Sequence, residues 1–218
     1  MLALTSWRTS VCVVLGVLGV LIPAFSQGAS DTQQEYETVL HAKPDVAHGE
    51  VLFATCAACH GRYGAGDSNV PLIAGQHFRI LVRELVDYRH NKRWDPRMES
   101  LAKGHQLSNT QDLADVATYI SGLAPQQSAD VGDGALVEHG SGVYARLCVS
   151  CHGPLAQGSD RGQIPKLAGQ RYGYLLRQMH DAVESRRPNF SPEHIRLLQR
   201  FDRDDFVGVS DYLSRLSP

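Results

Sequence analysis

The chain has 218 residues, enough for one large domain or two small ones. Charged residues make up 20% and hydrophobic residues 43%, the balance of an ordinary globular protein. A net charge of −2 offers no basic excess to neutralise phosphates, so nothing supports nucleic-acid binding.

Residues 1–26 read as an export signal. "MLALTSWRTS" carries Arg8 and no acid, "VCVVLGVLGVLIPAF" is an apolar run of 15 residues, and small residues follow around a cleavage point after Ser26. The run is short for a membrane span, which takes about 20 residues. Cys12 opens that run rather than flanking the cleavage point, which argues against a lipid-anchored N-terminal cysteine.

Two N-terminal domain motifs come next. "GEVLFATCAACH" reads as a short amphipathic helix ending in Cys56, Cys59 and His60. "HFRILVRELVDYRH" places apolar residues at 78, 81, 82 and 85 on one helical face, and "TQDLADVATYISGL" does so at 113, 116, 117 and 120. The polar, Gly- and Pro-containing stretch 124–136 reads as a linker between domains at 27–123 and 137–218. The second domain repeats the order. "GSGVYARLCVSCH" is again expected to be one short helix, ending in Cys148, Cys151 and His152.

Both motifs are C-x-x-C-H, the haem-attachment pattern. Two cysteines about one helical turn apart can form thioethers to the vinyl groups of one haem, while the adjacent histidine meets the iron from the same side. A redox disulfide needs no such histidine, and a zinc site needs four converging ligands. With Cys12 lost in the signal, every remaining cysteine belongs to a motif, which points to two covalent c-type haems.

A tandem duplication underlies this. Residues 70–93 match 164–187: Pro71, Ala74, Gly75, Gln76, Leu81, Arg83, Asp87 and Arg93 recur as Pro165, Ala168, Gly169, Gln170, Leu175, Arg177, Asp181 and Arg187. Tyr119 and Tyr212 are also in register. No convincing strand pattern appears, so the fold class is all-α. Domains this small bury little apolar surface, and a covalent haem completes the core.

From about residue 45 onward the chain resembles the dihaem cytochrome c4 family: two fused cytochrome c-like helical domains, each with a P-x-[IL]-A-G-Q segment after the haem motif. The resemblance implies a periplasmic electron carrier, often associated with the membrane, serving oxidases, dehydrogenases or other cytochromes. It implies His60 and His152 as proximal iron ligands, with the carbonyls of Pro71 and Pro165 accepting hydrogen bonds from them. It also implies a distal methionine before the last helix of each domain.

In the first domain that ligand is Met98, in "DPRMESLA", with His105 as the local competitor. The second domain has only Met179, which aligns with Leu85 on the middle helix and reads as core. Its segment "SPEHIRLL" matches "DPRMESLA" by helix start. Asp95 or Ser191 is the cap, Pro96 or Pro192 comes first, and Met98 or His194 comes third. Counting from the middle helix would instead align Met98 with Pro192, so the match costs a two-residue insertion. His194 is thus the candidate distal ligand of the second iron, with His180 a weaker option. A His/Met first haem and a His/His second haem would differ in potential.

Arg79, Arg83, Arg93, Trp94, Tyr172, Tyr174, Arg177 and Arg187 could meet haem propionates, though each alone reads as part of a solvated face. His48 and His139 read as cap-region residues. No catalytic triad, paired carboxylates or phosphate loop appears. The alternatives to a free carrier are an electron-accepting subunit of a periplasmic dehydrogenase and a peroxidase-like enzyme with an open second haem.

Overall fold

The computed structural model describes residues 25–218. The expected export segment, residues 1–26, lies outside them apart from Phe25 and Ser26, which open the first helix. The described chain is helical, with one isolated antiparallel bridge between Ser159 and Ile164. None of its helices is long and apolar enough to cross a membrane.

The first helix, α1 (Phe25–His41), is one the sequence reading missed. It packs on α3 (Phe78–Arg89) and α5 (Thr110–Gly122). Tyr36 and Val39 are fully buried there. The Arg83 guanidinium lies 3.8 Å from the Tyr36 ring centroid, and Glu35 pairs with Arg89 and His90. The buried stripe is too narrow, among charged and polar residues, to announce itself as a periodic pattern.

The haem motif of the first half ends α2 (Val46–His60), and α4 (Pro96–Lys103) precedes α5. In the second half the corresponding elements are α6 (Val137–Leu147), α7 (Val149–His152), α8 (Tyr172–Val183), α9 (Pro192–Leu198) and α10 (Arg203–Arg215). The last helix of each half opens with a capping box, Asn109 with Asp112 and Asp202 with Asp205.

In each half the motif helix crosses the last helix at a glycine. A Cβ on Gly49 would lie 2.2 Å from the Asp115 carbonyl oxygen, and one on Gly140 would lie 1.9 Å from that of Gly208. Only glycine lets the two backbones approach this closely. The crossing also explains a departure from expectation: the second motif helix is not continuous but breaks at Cys148. Gly49 is seven residues before Cys56, whereas Gly140 is eight before Cys148. With the glycine fixed against α10 and the motif fixed against the cavity, the extra residue interrupts the helix.

The stretch after α5 has no regular structure through Leu136, but it is not loose. The Asp211 carboxylate accepts from the N–H groups of Gly132 and Gly134 at 3.0 and 2.8 Å. Asp130 accepts from the N–H of Gly173 at 3.0 Å. The connection is strapped onto the second half.

Candidate haem sites and the joint between them

Each C-x-x-C-H motif sits at the end of its helix, and the following glycine turns the chain away. Gly61 and Gly153 have φ of 74° and 80°, the left-handed region open to glycine. The chain then curls back through equivalent bonds, from the Gly66 N–H to the His60 carbonyl and from the Gly158 N–H to the His152 carbonyl, both 2.8 Å. This brings a proline carbonyl to each imidazole. His60 Nδ1 lies 3.1 Å from the Pro71 oxygen and His152 Nδ1 lies 3.2 Å from the Pro165 oxygen. A carbonyl only accepts, so Nδ1 carries the proton and Nε2 is left with its lone pair. Burial lowers the basicity of both imidazoles, with the proline carbonyls opposing it.

Both motifs line one cavity of 730 Å³. Its lining includes Cys56, Cys59, His60 and Met98 from the first half and Cys148, His152 and His194 from the second. Most of the wall is apolar, including Leu81, Leu85, Leu175 and Phe190. No disulfide joins the four motif cysteines. Burial pushes the Cys56 and Cys148 thiols up to about 11, the opposite of what thiolate chemistry needs. Among the described residues no three His, Cys, Asp or Glu side chains converge as a separate metal site. Two cysteines one turn apart, an imidazole lone pair beside them and an apolar slot fit a covalently attached haem in each half.

The candidate distal side is built by the short helices α4 and α9. Asp95 caps α4, accepting from the N–H groups of Arg97 and Met98; Ser191 caps α9, accepting from the N–H of His194. Met98 and His194 are therefore third in helices that begin alike. Met98 is half-buried, packed on the first core. The His194 ring centroid is 6.2 Å from that of His152 and 4.7 Å from that of Phe190. Burial, then His152 and Arg187, push the His194 imidazole down to about 4, so it is neutral with a lone pair to give. The histidine competitors stand elsewhere. His105 is exposed and off the cavity, and His180 stacks on Phe206 with centroids 4.6 Å apart. Met179 lines the cavity but lies on the middle helix α8, packed against the small core of Leu198 and Phe206.

The repeated polar residues turn out to face the other half of the molecule. Gln76 bonds the backbone of Lys166, and Gln170 bonds the backbone of Leu72. His77 meets the Gln157 carbonyl at 2.9 Å, and Arg171, its repeat counterpart, meets the Ala65 carbonyl at 2.7 Å. Arg83 reaches Gln163, and Arg177 reaches the Asn69 carbonyl. Each contact has a partner generated by the same pseudo-two-fold relation.

At the centre, Glu84 pairs with both Arg93 and Arg187. Burial alone would raise the Glu84 carboxyl, but the two guanidinium groups outweigh it and hold it below the ordinary range. Arg93 also reaches Tyr174 and Gln178 at 2.7 and 2.8 Å. Arg93 and Arg187 are only 7% and 9% exposed, so for them the expectation of a solvated face is corrected. Both line the cavity, where they can also meet carboxylates. Trp94, by contrast, is 69% exposed. His48 and His139 do more than cap: His48 pairs with the buried Asp115 and His139 with Asp205, both at 2.8 Å.

Comparison with known proteins agrees with this arrangement. The cytochrome c family model matches twice, at residues 46–124 and 137–217, leaving α1 outside. A cytochrome c4 from Pseudomonas aeruginosa is 31% identical, over 81% of this chain and 90% of its own. A thiosulfate dehydrogenase electron acceptor from Thiomonas intermedia is 33% identical over 58% of this chain and 61% of its own. The crystal structure of reduced cytochrome c4 from Pseudomonas stutzeri superposes with a TM-score of 0.72 at 28% identity, covering 80% of this chain and 100% of that one. With two matched domains, two attachment motifs and one shared cavity, this chain is a dihaem electron-transfer protein with two covalent c-type haems, and it belongs to the cytochrome c4 family.

Proposed function

We propose that the chain is a periplasmic electron carrier with unlike haems: His60 and Met98 on the first iron, His152 and His194 on the second. One observation carries the second assignment. A metal–imidazole bond is about 2.0–2.1 Å, so two imidazoles facing each other across one metal have centroids about 6.3 Å apart. The His152 and His194 rings are 6.2 Å apart. Met98 on the first iron rests on its matching place in α4 and on its presence in the wall that also holds His60.

Haem supplies the one-electron chemistry when bound. The chain's own residues set its direction. Methionine ligation raises a haem's potential relative to bis-histidine ligation, other contributions being equal. Electrons then enter at the second haem and leave from the first. Spectroelectrochemical titration tests this: two separate one-electron waves are expected, with His194→Met raising the lower one. A single wave for both haems contradicts it.

The donor side is best read as a periplasmic dehydrogenase, the reading favoured by similarity to a thiosulfate dehydrogenase electron acceptor. An oxidase or another cytochrome is the acceptor side. Export through residues 1–26 and peripheral association with the membrane belong to the same proposal. Copurification with a catalytic subunit would instead make the chain a fixed subunit of that enzyme.

A further inference from the structure

The glutamine contacts fall on one particular peptide group in each half. The peptide joining Pro71 to Leu72 presents its C=O to His60 Nδ1 at 3.1 Å and its N–H to Gln170 Oε1 at 2.8 Å. The peptide joining Pro165 to Lys166 presents its C=O to His152 Nδ1 at 3.2 Å and its N–H to Gln76 Oε1 at 3.0 Å. Each glutamine also donates through Nε2 to the next carbonyl, Gln170 to Leu72 at 2.8 Å and Gln76 to Lys166 at 3.0 Å. Gln170 and Leu72 are each 6% exposed, so water does not compete for the bonds between them, whereas Gln76 and Lys166 are half-buried.

An amide is one conjugated unit. An acceptor on its N–H pushes electron density toward its oxygen, and a chain of hydrogen bonds is thereby strengthened along its length. A better acceptor at Pro71 draws harder on the His60 Nδ1 proton and makes the imidazole a stronger donor to metal. Ligand basicity and hydrogen bonding outside the first coordination sphere are levers on haem potential.

We infer that Gln170 tunes the first haem and Gln76 tunes the second: each domain sets the proximal ligand strength of the other through the shared peptide. They are positioning residues, acting through His60 and His152. The inference rests on those histidines being the proximal ligands. It reaches beyond that reading, because it makes each haem's potential depend on the docked state of the opposite domain. The competing view is that the glutamines only hold the halves together.

The test uses the full-length holoprotein with Gln170→Leu and Gln170→Glu. Leucine removes the acceptor without adding charge. Glutamate keeps an acceptor for the Leu72 N–H, strengthens it, and loses the donor to the Leu72 carbonyl. The potential of each haem and the proton resonance of His60 Nδ1–H are read. Gln170→Leu is expected to raise the first haem's potential relative to the second's and to move the Nδ1–H resonance toward a weaker hydrogen bond. Gln170→Glu is expected to shift both readouts the other way. The Gln76 pair should transfer the effect to the second haem and His152. Equal shifts at both haems, the same sign for both variants, or no shift overturn the inference and leave an adhesive role. Should Gln170→Leu not fold, Gln170→Glu alone decides, by whether the first haem falls more than the second. His60→Ala separates the two levels. If it leaves the first haem low-spin, the proximal assignment is wrong; if it abolishes that haem while the glutamine variants change nothing, only the tuning is wrong.

Discussion

Gly140 and Gly142 lie on one helix, two residues apart, and the same substitution should act on them in opposite directions. A Cβ at Gly140 would meet the Gly208 carbonyl oxygen and carbon at 1.9 and 2.1 Å, and the Val209 nitrogen at 2.7 Å. All three are backbone atoms of α10, so no side chain can swing aside. Ordinary contact begins near 3.4 Å, so α6 and α10 must part by more than 1 Å. A gap of 0.5–1 Å already forfeits about a quarter to a half of the dispersion between facing atoms. The atoms affected include Val143, Tyr144, Val209 and Leu213, the core of the second half. Overpacking typically costs about 1–3 kcal/mol, and a rigid backbone clash belongs at the top of that range or above. Gly140→Ala should therefore cost about 3 kcal/mol, a large share of the roughly 5–15 kcal/mol that holds a domain together. At Gly142 a Cβ meets only the mobile tip of Arg146, at 3.1 Å. Gly142→Ala should gain up to about 1 kcal/mol from helix propensity. Guanidinium unfolding followed at the second haem is the assay, with a midpoint lower by roughly 1 M for Gly140→Ala. Equal midpoints for the two variants would refute the close crossing of α6 and α10.

Three further outcomes are expected. Glu84→Ala leaves Arg93 and Arg187 without their shared carboxylate; Tyr174 and Gln178 still cover part of the charge, so urea unfolding should show a loss of about 2–3 kcal/mol. Removing a cap should cost about 1 kcal/mol and loosen the distal side of one haem only. Asp95→Ala should speed cyanide binding at the first haem and Ser191→Ala at the second, read by stopped-flow absorbance. The third concerns pH. The hydrogen bond that His48 donates to the Asp115 carboxylate raises the His48 imidazole above 6.5, a contribution fully present below that value and lost as pH rises through the folded one. Burial would raise the Asp115 carboxyl, but bonds from the Asp45 N–H, His48 and Gln111 depress it below 3.8, a contribution present above that value and lost as pH falls through the folded one. The pair thus stabilises most between about pH 4 and 6.5. The stability difference between the natural protein and His48→Gln should shrink from pH 6 to pH 8 in urea titrations.

The haem motifs, the helices behind them and the proline carbonyls were legible in the chain, because each depends on local spacing or on a repeated segment. The place of His194 near His152 was legible only through its cap: Ser191 and Pro192 start α9 as Asp95 and Pro96 start α4, while the residue count between helices drifts by two. The domain joint was visible but misread. Gln76, Arg83 and Arg93 repeat as Gln170, Arg177 and Arg187, and repetition alone does not say whether a residue serves its own haem or the opposite half. That depends on a symmetry axis, which is a property of packing rather than of sequence. The break at Cys148 followed from one extra residue after Gly140, a consequence that appears only once both ends of the segment are fixed. Helix α1 was missed because Tyr36 and Val39 form a buried stripe too short to read as amphipathic.

The central claim is that two histidines hold the second iron. Electron paramagnetic resonance of the oxidised holoprotein tests it most directly, with His194→Ala beside the natural chain. The account predicts two distinct low-spin signals in the natural protein. In His194→Ala, the second should convert to a high-spin or exogenously ligated signal while the first is unchanged. Two low-spin signals that both survive the substitution would contradict it.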